Sequence, residues 1–242
     1  MRARMLDADV VAVSPTSVYR VLRDAGLMEP RNGKRSKKGA GFVQPTAPHQ
    51  HWHVDLAYLN LGGTFYYPCA IIDGYSRYIV HWSIMPSMTS ADVQLVVQRA
   101  REMFPGTSPK IISDNGPQFP EGPIHRRYGP VGAARDFKVF MREAQMTHVR
   151  TSPYYPQSNG KIERFVPTYR GALRFINPTT FEEAYTATAE IMRHYNEDRL
   201  HSGIGYVTPR TKLEGRDQEV FAERDRKIEA ARAGRAAARA AI

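Results

Sequence analysis

Cysteine is nearly absent from this chain of 242 residues, because Cys69 is the one cysteine it contains. A single cysteine excludes an internal disulfide framework and a zinc site built from several cysteines. No run of apolar residues approaches the roughly 20 that a membrane-spanning helix needs, and no signal-peptide pattern opens the chain. We therefore expect a soluble protein of a reducing compartment.

Acidic residues are also few beside the basic ones. The chain has 24 Asp and Glu against 34 Lys and Arg, a formal net charge of +10 and an isoelectric point near 9.8. Basic side chains gain binding free energy when they displace counterions from phosphates, so a polyanionic partner is one explanation. Charge alone is equally compatible with an unspecialised basic protein. Hydrophobic residues make up 42% of the chain, which is ample for a packed core.

The order of the predicted elements indicates an α/β fold, because strands are followed by alternating helices and strands. The predicted elements are three antiparallel strands in a meander between residues 53 and 84, a helix from Ser90, a strand at 109–114, a weaker helix at 134–145, a fifth strand at 147–151 and a helix at about 181–196. They make a mixed five-stranded sheet flanked by helices.

The two ends of the chain have a different character. Residues 14–26 predict a short helix, in which Ser14 suits the N-cap and Gly26 suits the end. Residues 31–41 contain five basic residues, three glycines and no acid, which is typical of a basic linker or arm. Residues 216–242 are rich in Ala, Arg and Glu and predict an exposed, basic helical tail.

Two carboxylates occupy positions where an isolated anion is costly to bury. Asp55 lies inside the first predicted strand and Asp114 ends another, in "ISDNGPQF". Mg²⁺ between them would relieve the repulsion, because it favours one or two carboxylates and takes further oxygens from water and phosphate. Two such ions can hold both reacting oxygens of a phosphodiester displacement. Glu163, in "SNGKIERF", is the available third carboxylate. Taken singly, each acid is more simply a cap, a turn residue or a surface charge, and Asp73 is expected to stabilise a turn.

Five stretches occur in order between about residues 49 and 215: "HWHVDLAYL", "IIDGYSRYIV", "ISDNGPQF", "SPYYPQSNGKIERF" and "HYNEDRLHSGIGYVTP". Together they resemble the DDE transposases of bacterial insertion sequences, the group closest to retroviral integrases. The resemblance implies an RNase H-like core with Asp55, Asp114 and Glu163 as catalytic residues that bind two Mg²⁺ ions, with Mn²⁺ able to substitute. It implies a homo-oligomer that cleaves double-stranded DNA to free a 3′-hydroxyl and then joins this hydroxyl to a second double-stranded DNA. It also implies a location in the bacterial cytoplasm, associated with the nucleoid.

Polar and basic residues near these motifs are candidates for DNA binding. Loop formation and structural hydrogen bonding are their alternative roles, and for Asn196, Arg199 and His201 we expect the structural role first. His49, His51 and His53 are expected to be structural and not a metal site. The DNA-binding candidates are Asn115, Gln118, Tyr154, Gln157, Asn159, Lys161, Arg164, Arg199, His201 and, in the basic linker, Lys34, Arg35, Lys37 and Lys38.

Three features depart from the family pattern. Forty-eight residues (115–162) separate Asp114 from Glu163, more than is usual, and we place the extra ones at 120–133. Pro167 predicts a kink in the helix that carries Glu163. The helix at 14–26 resembles the end of a helix-turn-helix domain, which suggests a truncated frame or a partner protein from an upstream frame that supplies the rest.

The predicted domains are a partial helix-turn-helix segment at 1–30, a basic linker at 31–48, an integrase-like catalytic core at 49–215 and the helical tail at 216–242. Two alternative functions remain at this point. One is a stand-alone nuclease of the same fold, and the other is a decayed or domesticated protein that binds DNA without chemistry.

Overall fold

The computed structural model describes residues 2–28, 43–114, 116, 119, 131–150 and 159–241, and only the backbone of 131–136. Eight of the DNA-binding candidates and most of the extra segment at 120–133 lie outside these residues. The eight are Lys34, Arg35, Lys37, Lys38, Asn115, Gln118, Tyr154 and Gln157.

The described residues form an α/β structure in which one sheet is flanked by helices. Its strands are β1 (His51–Leu56), β2 (Leu59–Leu61), β3 (Thr64–Asp73), β4 (Ile79–Met85), β5 (Lys110–Ser113) and β6 (Thr147–Arg150). Its helices are α1 (Arg2–Asp7), α2 (Pro15–Asp24), α3 (Ser90–Met103), α4 (Val131–Glu143), α5 (Gly160–Ile176), α6 (Phe181–Glu197), α7 (Pro209–Leu213) and α8 (Asp217–Ala240), with a short 3-10 helix at Ser202–Ile204.

The sheet is mixed and has six strands among the described residues, not the five predicted. Strand β3 pairs antiparallel with β1, β2 and β4, while β5 pairs parallel with both β1 and β6. The extra strand arises because the first predicted strand is divided into β1 and β2. Both parts keep one register against β3, with Leu56 opposite Cys69 and Leu59 opposite Tyr66. The break falls beside Pro68, which has no N–H to donate to the ladder.

The two faces of the sheet bury separate apolar clusters. Trp52 and Val54 of β1 point into a cluster with α3 and α4, whereas Ala70 and Ile72 of β3 pack against α5 and α6. Side chains alternate between faces along a strand, so His53 and Asp55 lie on the α5 side of β1. Consistently, Asp55 lines a cavity of about 10 Å³ together with side chains of α5.

Local sequence signals explain most helix boundaries. Ser14 accepts a hydrogen bond from the Ser17 N–H at the start of α2, as expected, and Thr89 and Thr180 form capping boxes that begin α3 and α6. Helix α5 continues past Pro167 to Ile176. Because proline has no N–H, the Glu163 carbonyl lacks the donor that a helix normally supplies four residues later.

The first and last helices contact each other. The Arg224 guanidinium of α8 is buried, and it donates to both carboxylate oxygens of Asp7 in α1, at 2.7 Å each. It also donates to the carbonyls of Gly205 and Tyr206. This one side chain therefore connects α1, α8 and the segment after α6. No helix in the described ranges is both long and apolar enough to cross a membrane.

Candidate active site

Asp55 and Asp114 come together through the pairing of two parallel strands. Strand β1 pairs with β5 in a register that sets His53 opposite Ile112. Asp55 lies two residues beyond His53, and Asp114 lies two residues beyond Ile112, directly after the end of β5. The two side chains are close enough for the Asp114 charge to raise the pKa of Asp55. One oxygen of each carboxylate accepts a nearby backbone N–H, from Leu56 and from Gly116, which orients the side chains.

Glu163 is carried by the first turn of α5, the helix that covers the Asp55 face of the sheet. Its neighbours Ile162 and Phe165 are buried in the cluster between α5 and the sheet, while Glu163 itself is exposed. The alternation of buried and exposed positions thus leaves the carboxylate at the edge of the helix, able to act on the two aspartates.

The three carboxylates disfavour one another's charge. The pKa of Asp55 is raised to about 6, chiefly by burial and in addition by the charges of Asp114 and Glu163, while the hydrogen bond from the Leu56 N–H acts in the opposite direction. Burial and the charge of Asp114 likewise raise the pKa of Glu163. This mutual repulsion joins all three predicted catalytic residues in one electrostatic unit.

The donor chemistry of this unit fits a hard divalent cation. Carboxylate oxygens are the ligands that Mg²⁺ favours, and a cation would offset both the burial and the repulsion that raise the pKa values of Asp55 and Glu163. In the part of the chain that the structure describes, no group of three or more His, Cys, Asp or Glu side chains already has metal-binding geometry. The three carboxylates therefore interact electrostatically, but their oxygens do not surround a common metal position.

Asn159, one of the predicted DNA-binding residues, occupies the N-cap position directly before α5. Asn159 is buried, and its side-chain oxygen lies 3.3 Å from Nδ1 of His53, which is also buried. Burial lowers the pKa of His53 to about 3, with a further contribution from the Lys161 charge, so the imidazole is neutral at physiological pH. In this arrangement the Asn159 side chain contacts the protein interior. His49 accepts a hydrogen bond from the Trp52 indole at 3.1 Å, a structural role.

A cluster of positive charges surrounds the same end of α5. Burial and then the charge of Arg77 lower the pKa of Lys161 to about 7. Burial lowers the pKa of His201 to about 4, and the charges of Arg77, Arg199 and Arg164 act in the same direction. Four of the predicted DNA-binding residues, Lys161, Arg164, Arg199 and His201, therefore share one electrostatic neighbourhood with Arg77. We call these five residues the cationic cluster, in which the His201 imidazole is neutral at physiological pH.

Sequence reasoning missed Arg77. Its guanidinium donates to the Gly74 carbonyl within the turn that joins β3 to β4, so its local pattern looks like that of an ordinary turn residue. The signal is an arginine directly after the turn stabilised by Asp73. The turn role of Asp73 is confirmed, because its carboxylate accepts the N–H groups of His49, Tyr75 and Ser76.

The closing motif has the structural bonding that was expected. The Asn196 side chain accepts the Ile79 N–H at 2.8 Å and donates to the Ile79 carbonyl at 3.1 Å, so it holds α6 to the start of β4. His201 accepts the Gly203 N–H at 3.2 Å. The Arg199 guanidinium lies 5.6 Å from the centre of the Tyr195 ring.

Comparison with known sequences gives matches along most of the chain. One family model described as "Integrase core domain" matches residues 45–156, and a second with the same description matches residues 144–209. The transposase for insertion sequence element IS904 of Lactococcus lactis subsp. lactis (strain IL1403) is 28% identical over 189 residues, which cover 72% of this chain and 69% of that protein. The putative transposase InsD for insertion element IS2E of Escherichia coli (strain K12) is 27% identical over 220 residues, with 85% and 93% covered.

A third relative is considerably longer than this chain. The 39.2 kDa uncharacterized protein of insertion element IS476 from Xanthomonas euvesicatoria is 24% identical over 213 residues. The match covers 85% of this chain but 57% of that protein, so the chain spans little more than half of its length.

Two solved structures share the fold. The HTLV-2 integrase catalytic core domain in complex with magnesium superposes with a TM-score of 0.53 at 16% identity, covering 69% of this chain and 98% of that one. The simian T-cell lymphotropic virus intasome in complex with PP2A regulatory subunit B56 gamma has a chain that superposes with a TM-score of 0.58 at 15% identity. That match covers 88% of this chain and 74% of the other.

Proposed function

Because this chain belongs to the integrase core family of DDE transposases and integrases, we propose that it is a DNA transposase that cleaves DNA 3′ ends and joins them to a second DNA. The observation that carries the proposal is that Asp55, Asp114 and Glu163 lie close enough together for their charges to affect one another. Three carboxylates that repel one another lower the stability of the folded protein unless a bound cation compensates their charge. A polynucleotidyl transferase needs such a site, whereas a protein that only binds DNA does not.

In the proposed reaction the protein's residues position charge and form no covalent intermediate. When bound by the three carboxylates, two Mg²⁺ ions, or Mn²⁺ in their place, supply activation of the attacking oxygen and neutralisation of the developing charge. The backbone N–H groups of Leu56 and Gly116 hold Asp55 and Asp114 in orientation. Glu163, on α5, would supply the third carboxylate of the donor set.

The cationic cluster supports a role in DNA binding at the same end of α5. Its members lie around the helix N-terminus, where the helix dipole also favours an anion. The Asp73 carboxylate acts on Lys161, and its oxygens also accept three backbone N–H groups. A DNA phosphate at this end of α5 would meet the permanent positive charges of Arg77, Arg164 and Arg199. We propose that Lys161, Arg164, Arg199 and His201 contact the backbone beside the scissile phosphate, together with Arg77.

A joining assay separates this function from its alternatives. Short fluorescent duplexes with 3′-hydroxyl ends are incubated with supercoiled plasmid, the protein and Mg²⁺ or Mn²⁺. A transposase attaches the label covalently to the plasmid, a stand-alone nuclease nicks without joining, and a protein that only binds DNA does neither. We expect joining, even with low efficiency from arbitrary ends.

The matched variant for that assay is Asp114→Asn, which removes one negative charge and keeps the shape of the side chain. We expect it to abolish nicking and joining while plasmid affinity, measured by fluorescence anisotropy, stays within about twofold. Equal loss of binding and chemistry would point to folding damage. Unchanged joining by Asp114→Asn would contradict the proposed function.

A further inference from the structure

Asn159 occupies the N-cap position of α5 but does not cap the helix. Asparagine at this position normally accepts a hydrogen bond from an N–H of the first turn, a contact that contributes about 1 kcal/mol. Asn159 makes no such bond, and its backbone angles of φ −99° and ψ 1° differ from the extended conformation typical of a cap. Its side chain is therefore used for something other than the stability of its own helix.

That side chain reaches across to the sheet. Its oxygen lies 3.3 Å from Nδ1 of His53, and both residues are almost completely buried, with 1% and 0% of their surface exposed. His53 stands two residues before Asp55 on the same face of β1. The backbone carbonyl of Asn159 in turn accepts the Glu163 N–H at 3.1 Å. A short path of hydrogen bonds thus runs from the strand of one carboxylate to the helix turn of another.

The far side of the imidazole is held as well. A Cβ atom built on Gly74 would lie 3.0 Å from Nε2 of His53 and 3.2 Å from the His51 carbonyl oxygen. The Gly74 N–H donates to that carbonyl at 2.8 Å, which holds the turn against β1. A side chain at position 74 would require the imidazole or the His51 backbone to shift by a few tenths of an ångström. The imidazole is consequently confined between Gly74 on one side and Asn159 on the other.

We propose that His53 is a positioning residue that sets the distance between Asp55 and Glu163 by holding the first turn of α5 against β1. The inference rests on the proposed function, because positioning matters only if the carboxylates bind a metal together. It explains why Asn159 leaves its helix uncapped and why His53 is buried so close to the site. The role differs from DNA contact, since neither side chain reaches the surface.

The test measures metal affinity in the absence of DNA and of any reaction. Mn²⁺ binding is followed by isothermal titration calorimetry for the wild type, His53→Ala, Asn159→Ala and the double variant, with thermal unfolding recorded in parallel. Partners that orient metal ligands typically contribute 10- to 100-fold in affinity. We therefore expect each single variant to weaken Mn²⁺ binding about tenfold and the double variant to be no weaker than either single one.

The variant His53→Asn provides rescue. Its side-chain amide can place a donor near the position of Nδ1, so it should recover most of the lost affinity, whereas a cavity effect would remain. The inference would be overturned if the losses of Mn²⁺ affinity in His53→Ala and Asn159→Ala simply added in the double variant. It would also be overturned if His53→Ala melted at a lower temperature but kept an Mn²⁺ affinity within twofold of wild type.

Glu163→Gln keeps the failure of the inference distinct from the failure of the proposed function. If Glu163→Gln loses Mn²⁺ binding while His53→Ala retains it, the positioning role alone is overturned. If Glu163→Gln binds Mn²⁺ as the wild type does, the metal site itself is contradicted, and the positioning role with it.

Discussion

Asp55 and Asp114 each lie two residues beyond the paired residues His53 and Ile112, Asp55 within β1 and Asp114 directly after the end of β5. The fold thus sets two like charges side by side, and α5 adds a third in Glu163. Such an arrangement lowers the stability of the metal-free protein. Functional sites commonly carry this kind of conflict between stability and activity.

The first prediction concerns that stability in the presence of EDTA. The folded protein holds the Asp55 proton more tightly than the unfolded chain, because its pKa is raised from 3.8 to about 6. When the pH rises from below 3.8 to above about 6, Asp55 loses its proton in both the folded and the unfolded state. The extra stability from the tighter proton binding of the folded protein is then lost, so the free energy of unfolding falls by about 3 kcal/mol on account of Asp55. Asp55→Asn carries no such group. We expect the variant to be more stable than wild type at pH 7.5 and to lose the advantage near pH 4.

Chemical denaturation at the two pH values checks this, with Asp225→Asn as the control. Asp225 is exposed on α8, so its replacement should leave the difference between the two pH values unchanged. Comparison of variant with wild type is essential, because buried histidines such as His53 have lowered pKa values and shift stability in the opposite direction. An Asp55→Asn variant that is less stable than wild type at pH 7.5 would contradict the prediction.

The second prediction concerns the cationic cluster. Arg164 is exposed next to Glu163, and its replacement by Gln removes one positive charge from the proposed DNA path. Each phosphate contact contributes a slope of about −0.9 in the dependence of log affinity on log salt concentration. We expect Arg164→Gln to weaken duplex binding and to make that slope less steep by about one unit, as measured by anisotropy between 50 and 200 mM salt.

Arg174→Gln is the matched control, because Arg174 is exposed near the other end of the same helix. Its loss changes the net charge equally but leaves the cluster intact. Equal effects of the two substitutions on the salt dependence would show that only net charge matters, and would argue against a localised DNA contact.

The third prediction concerns the connection between the two ends of the chain. Arg224→Met leaves Asp7 and the carbonyls of Gly205 and Tyr206 without their buried donor. Removing one partner of a buried charge pair costs about 3 kcal/mol, and somewhat less here because Asp7 is partly exposed. We expect a lower melting temperature and faster tryptic cleavage in the α1 segment.

Arg226→Met is the comparison variant, since Arg226 lies on the exposed side of α8 and pairs there with Glu223. An exposed pair contributes about 0 to 1 kcal/mol, so this variant should melt close to the wild type. Indistinguishable melting of the two variants would mean that the Arg224 contacts do not hold α1.

The elements of the fold could largely be predicted from the sequence, because they follow local rules. Ser14 at the start of α2 and the apolar stripe of α6 are examples in which neighbouring residues contain the whole signal. The division of the first strand depends on Pro68 in a different strand, so it required the pairing register. A sixth strand was missed for that reason.

The candidate site likewise contains residues that local motifs predict and contacts that only the packed structure shows. The three carboxylates stand in recognisable motifs, and each motif is continuous in the chain. The bond between His53 and Asn159 joins residues 106 positions apart, and the contribution of Arg77 depends on α5 lying beside its turn. Neither relationship has a local pattern, since both arise only when the elements pack.

The measurement that tests the central claim most directly is metal-dependent nicking of supercoiled plasmid by wild type, Glu163→Gln and the control Glu182→Gln. Glu182 is an exposed acid at the start of α6, and its replacement changes charge equally. The account predicts nicking by wild type and Glu182→Gln with Mg²⁺ or Mn²⁺, none with EDTA, and loss of at least about a hundredfold in Glu163→Gln. Undiminished nicking by a folded Glu163→Gln protein would contradict it.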